Sequence, residues 1–169
     1  MKAAGILLAI VLALALQTTL ARFVVRGSIA VDLVLVVVVY VALTRGPVTG
    51  LLTGTVAGLM QDALSSGVIG IGGLAKTLVG FLAGIVGSQF IVSQSLPRFV
   101  VFFGATLLHA VVFMGLYAVL DLRHFGSPYG AVLTQAAANA VVGVFAFQLV
   151  ELLPGAVERR RAGRTRLRR

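Results

Sequence analysis

The chain contains no cysteine and no tryptophan, and only five of its 169 residues are acidic. Without cysteine, disulfides, thiolate nucleophiles and thiolate-bound metals are excluded. Charged residues make up 11% of the chain, whereas about 25% is usual in soluble domains. Hydrophobic residues make up 59%, and the mean hydropathy is +1.07. This composition excludes an ordinary soluble domain and predicts an integral membrane protein.

Apolar segments follow one another along the chain, separated by turn signals such as Gly46-Pro47, Pro97 and the glycine-rich stretch 67–73. Each segment is long enough, or nearly so, to cross a bilayer as a helix. The predicted segments are 3–20, 29–44, 47–64, 74–92, 99–120 and 129–153. We therefore predict an all-α integral membrane protein, a bundle of six transmembrane helices over 1–154, followed by a basic cytoplasmic tail over 155–169.

The first segment also has features of a signal peptide, because Lys2 precedes the apolar run and small residues follow it. An uncleaved span is favoured, since further apolar segments follow at once. An even number of spans places both termini on one side of the membrane. Basic residues near helix ends stay preferentially in the cytoplasm, and the seven arginines from Arg159 to Arg169 decide the balance. We expect a multi-pass protein with both termini cytoplasmic.

The basic tail explains most of the net charge of +9. Next to a membrane helix, such a tail is typical of cytoplasmic retention and of attraction to anionic lipid. Nucleic-acid binding is disfavoured, because the tail lacks the interleaved aromatic residues of a nucleic-acid binder. We therefore expect anionic lipid, and no nucleic acid, at the tail.

Small residues recur at four-residue spacing in the third and fourth segments. Residues four apart share one helix face, and glycine on that face lets another membrane helix approach closely. The candidate packing residues are Gly46, Gly50, Gly54, Gly58, Gly80 and Gly84. Asp62 extends the first face and Lys76 begins the second, near the connecting loop. We predict an intramembrane ion pair between Asp62 and Lys76, since an unpaired charge in lipid is costly.

Other polar residues lie near predicted helix ends. Asp32 is a candidate interface residue or is simply solvated at the membrane surface. Arg45, before the turn at Pro47, either binds lipid phosphate or an acidic partner, or fixes the topology. His109 and His124 lack a helical spacing that would join them, so no metal site is expected. Gln135 and Asn139 share a face and are expected to hydrogen-bond between helices.

Several of these motifs together resemble the rod shape-determining protein MreD family. They are an acid opening a valine-rich helix, a basic turn between helices, and the glycine stripe that ends in an acid. The residues concerned are Asp32-Leu33, Arg45-Gly46-Pro47, Gly50, Gly54, Gly58-Leu59, Asp62, Ser65, Gly70, Leu74, Leu78-Val79-Gly80 and Gly84. The resemblance covers about 32–84 with recognisable motifs, and elsewhere rests on size, helix count and the basic end.

The resemblance implies a noncatalytic subunit of the bacterial cell-elongation complex in the inner membrane. The expected partners are MreC, most directly, then MreB, RodA and the transpeptidase that works with RodA. The implied role is to maintain cell shape by organising or regulating side-wall peptidoglycan synthesis. The implied fold is similar to the substrate-binding subunit of energy-coupling-factor transporters.

Two other classes of function are weighed against this one. A vitamin-uptake subunit is the alternative, and Asp32, Asp62 and Lys76 would then line its pocket. An enzyme is disfavoured, because the sequence has no nucleophile and base pattern, no metal motif and no phosphate-binding loop before a strand. No cofactor is expected.

Overall fold

The computed structural model describes residues 3–23, 31–65, 67–89, 94–122 and 129–166. Within those residues the chain is all-helical and forms six helices. They are α1 (Ala3–Phe23), α2 (Leu33–Arg45), α3 (Pro47–Leu64), α4 (Ile71–Gln89), α5 (Ser95–Val119) and α6 (Tyr129–Arg166). The predicted all-α class is confirmed.

Helix α2 lies at the centre of the bundle and contacts each of the other helices. It is a run of valine and leucine that is apolar on every side, as expected of a helix without a solvent face. Seven of its residues are buried. With 13 residues it is about 20 Å long, which is shorter than the hydrocarbon core of about 30 Å.

Helices α3 and α4 form a hairpin with the most extensive contact between any two helices, and α2 packs against both. Helices α5 and α6 form a second pair. An apolar cluster joins this pair to α2 and α4, with Phe102 and Phe147 as its largest members. A second cluster packs Ile10 and Leu14 of α1 against α2 and α3.

Length and composition make three of the described helices candidate membrane spans: Ile71–Gln89, Ser95–Val119 and Tyr129–Leu152. The apolar helices Ala3–Thr19 and Leu33–Arg45 are shorter. The chain is therefore a membrane protein with at least these three candidate spans, while the predicted count of six stays a prediction.

Several helix ends differ from the sequence prediction. Helix α2 begins at Leu33 and not at residue 29, because Asp32 caps its first turn. Helix α4 begins at Ile71, before the predicted start at Leu74, because its first turn is bonded by a side chain of α3. Helix α5 begins at Ser95, so Pro97 lies in its first turn, where a missing N–H costs little. Helix α6 runs on to Arg166, so residue 153 ends its apolar part and not the helix.

Candidate functional site: a buried polar cluster between the helices

Asp32 stands immediately before α2 and is 6% exposed. Its Oδ1 accepts a hydrogen bond of 2.9 Å from the backbone N–H of Leu35, which caps the helix. Its Oδ2 lies 2.9 Å from the Nζ atom of Lys76 on α4. One carboxylate thus satisfies the end of the central helix and neutralises a charge from a neighbouring helix.

Lys76 is 3% exposed and contacts a second titratable group. Its Nζ lies 3.1 Å from the Nε2 atom of His109 on α5. A charged lysine has only donors, so Nε2 accepts this hydrogen bond and the imidazole is neutral. Lys76 therefore bridges α2 and α5 through one acid and one neutral histidine.

Asn139 of α6 extends the same network and is fully buried. Its Oδ1 accepts a 2.9 Å hydrogen bond from the backbone N–H of Asp32. Its Nδ2 donates at 3.2 Å to Thr106 Oγ1, which in turn donates to the carbonyl of Phe102. We call Asp32, Lys76, Thr106, His109 and Asn139 the polar cluster. It joins α2, α4, α5 and α6.

Helix α1 reaches the edge of the cluster through Gln17. Its Oε1 accepts a hydrogen bond of 3.3 Å from the backbone N–H of Val34. Side chains thereby bond the start of α2 from three sides: Asp32 and Gln17 of α1 bond amides of its first turn, and Asn139 of α6 bonds the N–H of the capping residue. Such satisfaction is required where a helix begins inside the protein, because a bare helix end buried away from water leaves several N–H groups unpaired.

Asp62 does not pair with Lys76, and that prediction is wrong. Its Oδ2 accepts hydrogen bonds of 2.9 Å from the backbone N–H of Gly70 and 3.0 Å from that of Gly73. These amides lie at the start of α4, where unpaired N–H groups and the helix dipole favour an anion. Asp62 is thus a buried cap for α4 supplied by α3. Lys76 is one turn further into α4, and it forms its ion pair with Asp32 instead.

Five of the six candidate packing glycines lie where two helix backbones meet. A Cβ atom at Gly50, Gly54 or Gly58 would come within 3.0 Å of α4 backbone atoms. One at Gly80 or Gly84 would meet the backbone of Gly50 or Pro47 equally closely. Gly46 is different, because nothing lies within 4 Å of its Cβ position and its φ is +86°. It serves the turn between α2 and α3, and not helix packing.

The other predicted residues lie away from the polar cluster. Arg45 ends α2 with an exposed side chain, and Pro47 begins α3 beside Gly84. Gln135 is half-buried one turn before Asn139. His124 falls outside the described residues. Arg45 and Asp32 thus lie at opposite ends of α2.

A second ion pair was missed by sequence reasoning. Arg98 of α5 is 5% exposed, and its Nη1 lies 2.9 Å from Oε2 of Glu151 on α6. Its second terminal nitrogen bonds the other carboxylate oxygen, and its guanidinium carbon lies 4.5 Å from the centre of the Phe147 ring. The two residues are 53 positions apart. The available signal in the sequence was that Arg98 lies near the start of the fifth predicted segment and Glu151 near the end of the sixth.

The described residues contain no group of three or more potential ligands that would hold a metal ion. Two open grooves are lined almost wholly by apolar side chains. One, of about 220 Å³, lies between α4 and α5, and its lining includes Leu82 and Val100. The other, of about 410 Å³, lies between α5 and α6, and its lining includes Phe99 and Phe145.

Comparison with known proteins identifies one family. No curated protein and no solved structure matches the chain, so the expected similarity to transporter subunits stays a prediction. The family model described as rod shape-determining protein MreD matches residues 2–154. This match covers nearly all the helical chain, including the glycine-packed hairpin and every member of the polar cluster. The chain belongs to the rod shape-determining protein MreD family.

Proposed function

We propose that the protein is a noncatalytic membrane subunit of the bacterial cell-elongation complex, which organises or regulates side-wall peptidoglycan synthesis together with MreC. The observation that carries the proposal is the family match over residues 2–154. That family determines rod shape, and the helices of this chain are those of a membrane protein. MreB, RodA and the transpeptidase that works with RodA are the further proposed partners.

The arrangement of polar groups supports a structural role. In the polar cluster the Asp32 carboxylate bonds Lys76 and the first turn of α2. Asn139 of α6 accepts from the backbone N–H of Asp32 and donates to Thr106 of α5. These groups bond helices to one another inside the protein, where an unpaired polar atom would cost several kcal/mol. A framework of this kind suits a subunit whose task is to present surfaces to membrane partners.

Vitamin uptake gains no support from the same contacts. That function needed Asp32, Asp62 and Lys76 to line a pocket. Instead, Asp32 and Lys76 bond each other, and Asp62 bonds two backbone amides of α4. We therefore retain the elongation complex as the proposed function.

The first test is purification of the tagged protein from its native membranes in mild detergent, with mass spectrometry of every enriched protein. We expect MreC, with or without RodA, to be enriched over a control with an unrelated multi-pass membrane protein carrying the same tag. Recovery of transporter ATPases with a coupling subunit, in place of MreC, would contradict the proposal.

Exposed Arg45 offers a variant for the same purification. If Arg45 contacts an acidic partner, Arg45→Gln lowers recovery of that partner while the protein level stays unchanged. Thr44→Val is the matched control, since Thr44 is also exposed and donates to carbonyls of its own helix. Equal recovery by the two variants would remove Arg45 from the partner interface and leave lipid phosphate binding or a topology signal as its role.

For the membrane arrangement we propose six spans in the inner membrane, with both termini in the cytoplasm. The absence of cysteine makes this easy to test, because a single introduced cysteine is the only thiol in the chain. In spheroplasts, a membrane-impermeant maleimide should label Ser28→Cys and Ser127→Cys. Ser93→Cys and Ala162→Cys should react only after permeabilisation. Labelling of Ala162→Cys in sealed spheroplasts would refute the proposed orientation.

For the basic tail we propose binding to anionic lipid, at about 1 kcal/mol for each basic residue near the surface. A spin-labelled phosphatidylglycerol should show a larger protein-bound fraction with the full chain than with a variant whose seven tail arginines are glutamine. The difference should shrink at high salt, because the attraction is electrostatic. Equal bound fractions at low salt would contradict lipid binding.

A further inference from the structure

The helices form two units that are packed in different ways. Helices α2, α3 and α4 make extensive mutual contacts, and glycine brings the backbones of α3 and α4 together. Helices α5 and α6 also contact each other extensively. The contacts between the two units are smaller, and an open groove of about 220 Å³ separates α4 from α5 over part of their length. We call these the core unit and the α5–α6 unit.

The two units are joined by polar bonds as well as by an apolar cluster. Lys76 of the core unit contacts His109 at 3.1 Å, and the backbone of Asp32 donates to Asn139 at 2.9 Å. Apolar contacts around Phe102 and Phe147 add to these bonds. In lipid, apolar faces gain no hydrophobic driving force by meeting each other, so directional polar contacts and close packing decide which helices stay together. Lys76 and His109 therefore supply the directional polar contact between α4 and α5.

The charges at this contact balance for only one protonation state of the histidine. Core helices α2 and α4 supply the anion Asp32 and the cation Lys76. Helix α6 contributes uncharged Asn139 to the cluster, and on α5 the ring of Phe113 stacks on His109 with centres 5.7 Å apart. A proton on His109 would remove its acceptor atom and place two cations about 3 Å apart beside one carboxylate. At low dielectric such repulsion is severe.

We propose that His109 is a proton-sensitive contact between the two units. Neutral His109 accepts from Lys76 and holds α5 against α4. Protonated His109 repels Lys76, so the α5–α6 unit moves away from the core unit and the α4–α5 groove widens. The direction follows from charge alone: a fall in pH opens the contact and a rise in pH closes it. Opening linked to one proton changes the open-to-closed ratio by at most about tenfold per pH unit.

The groove gives a direct measure of this movement. Leu82 and Val100 line it from opposite helices and are 38% and 61% exposed, so both accept a spin label. The variant Leu82→Cys with Val100→Cys needs no other change in a chain without cysteine. In phospholipid nanodiscs, the longer of two spin-label distances should gain population as pH falls from about 8 to about 4. The range extends well below the usual histidine pKa of about 6.5, because the neighbouring Lys76 opposes protonation of His109.

Two controls distinguish this proposal from general loosening. Val56→Cys with Leu78→Cys places labels on α3 and α4, within the core unit, where the distance should not change with pH. His109→Gln keeps an oxygen acceptor for Lys76 but cannot gain a proton, so the Leu82 and Val100 labels should then be insensitive to pH. A pH-independent distance in the chain with native His109 overturns the proposal. An equal pH response in the His109→Gln variant overturns it as well, since another group would then be titrating.

Discussion

The α3–α4 hairpin and the contact between α4 and α5 show two ways to hold membrane helices together. At Gly50 and Gly80 no side chain separates the helices of the hairpin, so the two backbones meet directly. The α4–α5 contact leaves an apolar groove but places Lys76 against His109. Close packing has no titratable part and tolerates no added atoms. Polar bonding tolerates gaps but depends on charge, which makes it the adjustable contact of the two.

Among variants that test these two kinds of contact, those of the Asp32–Lys76 ion pair should lose the most stability. Either Asp32→Asn or Lys76→Met leaves one buried charge uncompensated, at a cost of about 3 to 5 kcal/mol. Asparagine keeps an oxygen that can cap α2, so the loss reports the charge and not the cap. The double variant removes both charges and should be more stable than the sum of the single losses predicts, as measured by thermal unfolding in mild detergent.

The matched control is the pair that sequence reasoning proposed. Asp62→Asn with Lys76→Met should show no such recovery, because Asp62 bonds α4 amides and not Lys76. If this double variant recovers stability and the Asp32 double variant does not, the observed pairing is incorrect.

The next effect concerns the glycine interface. Gly54→Ala would place a Cβ within 3.0 Å of the Lys76 backbone, so the two helices must separate. Overpacking of this kind costs about 1 to 3 kcal/mol. Gly104→Ala on α5 is the control, since nothing lies within 4 Å of its Cβ position. If both variants lower the thermal midpoint equally, the stability of the protein does not depend on the close backbone contact at Gly54.

A smaller effect is expected where one helix caps another. Asp62→Ala removes the acceptor of two backbone N–H groups at the start of α4, at about 1 to 2 kcal/mol. Hydrogen exchange in the segment 70–76 should become faster, while exchange in the middle of α3 should not. Asp62→Asn retains one oxygen and should be milder. Equal protection in the alanine variant and the native chain would show that Asp62 is dispensable as a cap.

The smallest effect is expected from Glu151. Its side chain is 56% exposed, so water already screens much of its attraction to Arg98. Glu151→Gln should cost at most about 1 kcal/mol, and retention of the Phe147 contact by Arg98 limits the loss. Arg98→Leu is the companion variant, and it should cost more because it also removes that ring contact. A larger loss of thermal stability from Glu151→Gln than from Asp62→Ala would reverse this ranking.

Much of the fold was predictable because it depends on local composition. Apolar runs, Pro47 and the glycine spacing predicted α3 within its observed limits and the close approach of α3 to α4. The start of α4 was misplaced because its first turn depends on Asp62, which lies on another helix. The extension of α6 to Arg166 was missed, because a prediction guided by apolar runs ends where hydrophobicity ends and not where helical hydrogen bonding ends.

The candidate site was predictable only in part. Asp32, Lys76 and Asn139 were each singled out, and the alternative function placed Asp32 and Lys76 in one pocket, but no bond among the three was predicted. Asp62 was chosen as the partner of Lys76 because it is near in sequence and on a packing face. Three-dimensional packing instead brings Lys76 to the start of the central helix, and His109 to the same point from α5.

The sequence by itself determined that the chain is helical, belongs in a membrane and contains a glycine-packed hairpin, because these properties follow from composition and from spacing along one helix. Only the tertiary structure decided which acid neutralises Lys76, which amides Asp62 caps and where Arg98 finds Glu151. Those pairings join residues on different helices, so they depend on which helices are neighbours and on how far along the bundle each residue lies. The spacing of residues along one helix does not predict either property.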